Sequence, residues 1–195
     1  RSGEPLTSPP GELSSLDEAS LVRACVAGRD GAFALVMARH RRSVYRLCYR
    51  YAGNHEDAAE LSQDVFVRAF RALDRFKGQS SLATWLYRIG VNVCLNHVSV
   101  KRPVVQPLDD DDTADERFPH QGESAADRVL RHERARRVRR AIASLPEKQR
   151  AAIILRLYHD LSHQEIAECL GSTEGAAKAN VFQDRKSTRL NSSHV

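Results

Sequence analysis

Apolar residues along most of this chain recur at intervals of three and four, the period of a helix with one buried face, and strand-like alternation is nearly absent. The pattern predicts an all-α protein. Asp17 opens a first helix with the apolar series Leu21, Val22, Cys25 and Val26. Gly28 and Gly31 bracket a turn. A second helix then runs from about Gly31 to Tyr51, with Phe33, Val36, Met37, His40, Val44, Leu47, Cys48 and Tyr51 on one face, until Gly53-Asn54 ends it. A third helix starts near Asn54 or His55 and reaches about Leu73, burying Ala58, Leu61, Val65, Ala69 and Leu73. Leu82, Leu86, Ile89 and Val93 mark the inner face of a fourth, which begins near Thr84 after the polar loop that follows Phe76. Lys101 and Arg102 close it before Pro103.

The other side of the fourth helix is polar. Thr84, Arg88, Asn92 and Asn96 follow one another at i+4 and so share a stripe, and Trp85, the only tryptophan, borders it. An aromatic ring beside arginine and amide groups suits an unpaired base, which stacks and is hydrogen-bonded at its edge. A core helix with a solvated face, and Trp85 as filler, is the plainer alternative. The acidic and amide residues of the third helix also have two readings. Acidic groups early in a helix stabilise its positive end, and the same groups form a docking face for a basic partner.

Composition breaks after Arg102. Residues Pro103 to Asp127 hold three prolines and the run Asp109-Asp110-Asp111-Asp112, with no surviving period. This reads as a flexible acidic linker between two small helical domains; the spaced ligands of a calcium loop are missing. From Arg128 the chain is helical and basic. Val129, Leu130, Val138, Ala141, Ile142 and Leu145 are expected to pack, with arginines 131, 134, 136, 137, 139 and 140 mostly outside. Pro146 breaks the run, and the next helix, Glu147 to about Tyr158, is expected to bury Ile153, Ile154 and Leu157. Ser162 and Glu165 then form an S-x-x-E capping box, Ile166, Ala167 and Leu170 face inward, Gly171 ends the short helix, and Ser172 or Thr173 caps another containing Ala176, Ala177 and Val181. Two short helices around a glycine turn, with small Ala167 at the crossing, make a helix-turn-helix.

Charge and cysteine usage narrow the classes. The net charge of +5 among 195 residues and a pI near 9.2 suit nucleic acid. Cys25, Cys48, Cys94 and Cys169 form no CxxC pair and read as buried free thiols of a reducing compartment. His159 and His163 stand at i+4, but neither the HExxH glutamate nor a cysteine completes a zinc site, so they read as surface histidines beside a helix cap. No signal peptide or membrane span is expected, and the location follows as cytoplasmic. The first residue is Arg1, so the amino terminus reads as incomplete or processed.

Three motifs stand in order: EDAAELSQDVFVRAF from Glu56, FKGQSSLATWLYRIGVNVCLN from Phe76, and LPEKQRAAIILRLYHDLSHQEIAECLGSTEGAAK from Leu145. Together, over about Asp17 to Gln183, they resemble the extracytoplasmic-function sigma factors of bacterial RNA polymerase. The resemblance implies a region-2-like domain at 17–102, a linker at 103–126 and a region-4-like helix-turn-helix domain at 127–183; the Pro, Gly and Ser content of 1–16 reads as a disordered leader, and 184–195, where the family pattern is lost, reads as a non-native tail. It implies promoter recognition, promoter melting and transcription initiation without catalytic groups, metal or cofactor. Its partners would be core RNA polymerase, promoter DNA and an anti-sigma factor, with no membrane insertion.

By the same resemblance, Asp57, Glu60, Gln63 and Asp64 would dock on core polymerase. Lys77, Gln79, Ser80, Ser81, Arg88, Asn92, Lys101 and Arg102 would read the −10 element. Ser172, Thr173, Glu174, Ala176, Lys178 and Asn180 would meet the −35 element. The chain departs from the family pattern at Asn96, Ser99, Asn180 and Gln183, and the resemblance stops after Gln183. Two other readings stand beside this one: a helix-turn-helix repressor or activator, and a helical protein-interaction module with no DNA role.

Overall fold

A computed structural model describes residue 13, residues 15–100 and residues 125–190, and all regular structure among them is helical. Of the expected linker at 103–126, residues 103–124 lie outside the described residues, as do most of the leader and the last five residues, whereas Ala125 and Ala126 already belong to a helix. Helix α1 (Glu18–Val26) starts where Asp17 accepts a hydrogen bond from the Ser20 amide at 2.9 Å. Helix α2 (Ala32–Ala52) follows, and α3 (His55–Ala72) starts at Asn54, whose side chain accepts from the Asp57 amide at 2.8 Å. A 3₁₀ turn (Leu73–Arg75) leads into the polar loop. Helix α4 (Leu82–Val100) begins two residues before Thr84, because Ser81 accepts from the Thr84 amide at 3.0 Å and takes the cap. The Glu18 carboxylate accepts from the Leu82 amide and ties α1 to the same end.

Helices α2, α3 and α4 pack on one another around Val36, Val44, Leu47, Val65, Leu82, Leu86 and Val91, all buried. They approach closely at Gly90, where a Cβ would stand 2.7 Å from Leu47 Cδ2 and 3.7 Å from Val65 Cγ2. The absent side chain lets α4 cross α2 at this distance.

The second group comprises α5 (Ala125–Ala143), α6 (Glu147–His159), α7 (His163–Leu170) and α8 (Glu174–Leu190). Helix α7 packs on α4 and α6 packs on α2, and the buried residues of both groups form one continuous cluster.

Several expected core positions are exposed. Val129, Leu130 and Val138 are 59%, 49% and 47% accessible, and Ala141 is exposed too; only Ile142 of that set is buried. Helix α5 spans about 28 Å at 1.5 Å per residue and touches its neighbour α6 near its carboxyl end, so most of its apolar side chains meet no other described element. Leu157 is exposed because α7 and α8 cover the arc of α6 that carries Ala151, Ile154 and Leu155. Met37 sits one step round α2 from buried Val36 and is exposed, as is Val26 at the last turn of α1. Ile89 is only half-buried.

Candidate nucleic-acid interface

The loop before α4 borders a cavity. Phe76 meets Trp85 with ring centroids 5.3 Å apart. Around this pair lies a cavity of about 420 Å³, lined by Arg75, Lys77, Gln79, Ser80, Thr84, Trp85 and Arg88. Trp85 is half-buried, packing on Phe76 and lining the cavity.

Lys77, Gln79 and Ser81 are exposed, and Ser80 is half-buried. Arg88, Asn92 and Asn96 are exposed along one side of α4, as the i+4 spacing requires. Thr84 departs from that stripe: it is only 3% accessible, because α7 covers it. Its hydroxyl donates to Glu165 Oε1 at 3.2 Å, and its carbonyl accepts from Cys169 Sγ at 3.4 Å. Burial pushes the Cys169 thiol up to about 12, so it stays a protonated donor. Lys101 and Arg102 lie outside the described residues.

On α3, Glu60 and Gln63 point outward. The two aspartates with them are engaged locally. Asp57 is half-buried, accepts from Asn54 Nδ2 at 2.9 Å and stands 3.6 Å from His97 Nε2. Asp64 takes the guanidinium of Arg68, one turn on, at 2.9 Å.

In the helix-turn-helix the capping box is complete. Ser162 accepts from the Glu165 amide, and Glu165 Oε2 accepts from the Ser162 amide at 2.8 Å. These bonds hold the Glu165 carboxyl below its usual range. Gly171 ends α7 at φ 58, left-handed backbone that a side chain would strain. Thr173 caps α8 by accepting from the Ala176 amide at 3.2 Å, while the Ser172 hydroxyl is buried with no hydrogen-bond partner. Thr173, Glu174, Ala176 and Lys178 are exposed and Asn180 is half-buried, while Ala177 is buried at the helix crossing. Lys178 Nζ lies over the Phe182 ring at 6.0 Å.

The side chains that join the two helical groups are polar, and an apolar period does not mark them. Arg150 on α6 is buried, and its Nη2 donates to the carbonyls of Arg50 and Tyr51 at 3.1 and 2.9 Å. Desolvation lowers its pKa, yet it stays charged against the negative end of α2. Arg50 in turn stacks on Tyr158 at 3.8 Å. The signal was available: Arg150 stands four residues before Ile154 and so shares its inward stripe. His159 is not a surface histidine. It packs on Tyr87 at 4.5 Å, and burial, with Arg50 and Arg46 nearby, lowers its pKa to about 4.

Among the described residues no three His, Cys, Asp or Glu side chains converge as a metal site, and no helix is long and apolar enough to cross a membrane. All four cysteines are free thiols; three are buried and Cys25 is half-buried.

Comparison with known proteins agrees with this architecture. The family model "Sigma-70 region 2" matches residues 36–103, and "Sigma-70, region 4" matches residues 135–187. The chain is 34% identical to the ECF RNA polymerase sigma-E factor of Escherichia coli K12, over 88% of its own length and 92% of the relative's. It is 30% identical to the RNA polymerase sigma-H factor of Pseudomonas aeruginosa, over 89% and 93%. Among solved structures it resembles CnrH in complex with the cytosolic domain of CnrY, with TM-score 0.64, 23% identity and coverage of 91% and 99%, a likeness of fold. With a loop-and-stripe surface on α4, a capped helix-turn-helix and both sigma-70 regions matched in order, the chain belongs to the extracytoplasmic-function family of RNA polymerase sigma factors, which act in transcription initiation.

Proposed function

We propose that residues 17–102 and 127–183 work as two domains, the first reading the −10 element and docking on core polymerase, the second reading the −35 element. Loop residues Lys77, Gln79, Ser80 and Ser81, with Arg88 and Asn92, receive an extruded base of the melted promoter. The observation that carries this reading is the cavity at the foot of α4, with three cations (Arg75, Lys77 and Arg88), the Gln79 amide and the hydroxyls of Ser80 and Thr84 at its wall and the pair Phe76 and Trp85 at its base. Flipping a base costs a few kcal/mol, which such contacts offset. Arg88 meets phosphate, and Asn92 offers both donor and acceptor to a base edge. Lys101 and Arg102, which follow α4 in sequence, add positive charge for the same strand.

Glu60 and Gln63, with Asp57 and Asp64 behind them, present the polar face of α3 to core polymerase. Ser172, Thr173, Glu174, Ala176, Lys178 and Asn180 sit at the start of α8, the end that enters a major groove in helix-turn-helix proteins. Bond chemistry belongs to the polymerase, so the chain itself supplies binding energy and no catalysis. The location that fits is the cytoplasm, where the polymerase is. An anti-sigma factor is the further partner; a solved structure of similar fold is a sigma factor bound to the anti-sigma factor NepR from Bartonella quintana.

The test is open-complex formation by holoenzyme on duplex and on pre-melted promoters, with alanines at Gln79, Ser80, Arg88 and Asn92. The set should impair opening on duplex DNA more than on pre-melted DNA. A folded set that still selects and opens promoters normally refutes the assignment.

A further inference from the structure

We propose that Glu18, the first residue of α1, is a positioning residue of the base-reading loop: by accepting from the Leu82 amide it fixes where the loop re-enters α4, and so sets which base the cavity prefers. The proposal rests on the base-reading assignment made above for that loop.

Two carboxylates stand side by side at the start of α1 and divide the work. Asp17 caps its own helix by accepting from the Ser20 amide. Glu18 turns to a different helix, 64 positions on, and accepts from the Leu82 amide. The first amides of a helix have no partner inside it. At α4 the Ser81 hydroxyl takes the Thr84 amide and the Ser81 carbonyl takes the Trp85 amide, both at 3.0 Å. Leu82 carries the first amide of α4, and Glu18 supplies its acceptor. The carboxylate thereby lies at the positive ends of two helices at once.

Helix α1 holds both ends of the loop. Where the loop leaves, α1 packs on the 3₁₀ turn, with Leu21 and Leu73 buried, and the Phe76 amide donates back to the Leu73 carbonyl at 3.1 Å. Where the loop returns, Glu18 holds Leu82, whose side chain is fully buried. Helix α1 is itself fixed to α2, because Arg39 Nη2 donates to the Leu16 carbonyl at 3.1 Å, just ahead of the Asp17 cap. Between the two anchors Gly78 is left-handed, at φ 67, and a Cβ there would have nothing within 4 Å, so no packing at Gly78 holds the middle of the loop. Lys77, Gln79, Ser80 and Ser81 take their places from the ends.

That placement decides discrimination. Every base has a face to stack on an aromatic ring, so stacking is tolerant of sequence. Preference among bases rests on polar groups held to within about 0.5 Å by supporting contacts. Glu18 is such a support: it acts through the Leu82 amide and not on the base itself.

The experiment uses holoenzyme and a pool of single-stranded DNA of random sequence. Sequencing the bound fraction gives the base preference at its most selective position. Three variants separate reach from charge. Glu18→Asp keeps the charge and the acidic first turn of α1, but is one methylene too short for the Leu82 amide. Glu18→Gln keeps the reach and an acceptor oxygen without the charge. Glu18→Ala loses both. The preference should fall by about threefold to tenfold in the aspartate and alanine variants, the range of a lost hydrogen bond, and stay within about twofold of wild type in the glutamine variant. Hydrogen exchange at the Leu82 amide should quicken in the same two variants. Affinity for the whole pool should change less than the preference, since Lys77 and Arg88 remain for the phosphates. Gly90→Ala, which strains the same helical group away from the loop, should keep the preference and so controls for lost stability. If Glu18→Ala does not fold, the aspartate and glutamine variants carry the test alone.

An aspartate variant with the wild-type preference overturns the proposal. So does a glutamine variant that loses the preference as fully as the aspartate variant does. Gln79→Ala tells the two readings apart. If it flattens the preference while Glu18→Asp does not, the positioning role alone has failed. If neither changes it, or wild-type holoenzyme prefers no base, the base-reading assignment has failed with it.

Discussion

Arg150 Nη2 donates to the main-chain oxygen of Tyr51 at 2.9 Å, from a residue 99 positions away in sequence. The guanidinium lies 5.1 Å from the Tyr51 ring centroid, while the Tyr51 hydroxyl is buried without a partner and burial raises its pKa far above the usual phenol value. One side chain therefore satisfies the end of α2 and fixes α6 against it.

Arg150→Met should destabilise the chain by about 1–3 kcal/mol, because it leaves buried carbonyls without a donor. Urea unfolding followed by circular dichroism reads this. Arg150→Lys should recover only part of the loss. Equal stability of the methionine variant would mean that water replaces the guanidinium at no cost.

Gly90→Ala should destabilise the first helical group. Alanine normally improves a helix by about 1 kcal/mol over glycine. Here the new methyl would stand 2.7 Å from Leu47 Cδ2, and overpacking of this kind costs about 1–3 kcal/mol. A lower urea midpoint is the expected result. A higher one would show that Leu47 has a second rotamer free of the clash.

His159 should make stability fall with acid. Its pKa is about 4 in the folded chain against 6.5 in the unfolded chain. Between those values the unfolded form binds a proton that the folded form does not, so stability present above pH 6.5 is lost as pH falls toward 4, and at pH 5 the loss is about 2 kcal/mol. Arg46 and Arg50 from α2 oppose protonation, and Asp160 favours it. Thermal midpoints at neutral pH and at pH 5 should differ more for the wild type than for His159→Phe. Identical pH dependence in both would show that other groups carry it.

Trp85→Ala should have two separable effects. The ring is half-buried against Phe76, so the stability loss should be about 2 kcal/mol, roughly half that of a fully buried aromatic. Single-strand affinity should also fall, by about 1–3 kcal/mol for a stacked base. Trp85→Phe should restore more of the stability than of the binding. Restoration of both to the same extent would place the ring wholly in the core.

Order along the chain was legible wherever the cause is local. Asp17, Asn54, Ser162 with Glu165, and Gly171 act on amides or carbonyls within a turn of themselves, so their identities and spacing reveal the helix ends. The inward faces of α2, α3 and α4 were equally readable, because a helix that is covered along its length must repeat apolar residues at its own period. The three motifs carried the family in the same way, as short ordered patterns.

Which arc of each helix is covered was decided only when distant segments met. Val129, Leu130, Val138 and Leu157 have the composition of core residues and stand exposed, since no described element packs over them. Thr84 has the spacing of a solvent stripe and is sealed by Glu165, 81 positions away. Arg150 reaches the end of α2 across 100 positions. Periodicity reports what a helix needs over four residues, whereas the partner that meets the need is chosen by packing, which brings together side chains that no local spacing relates.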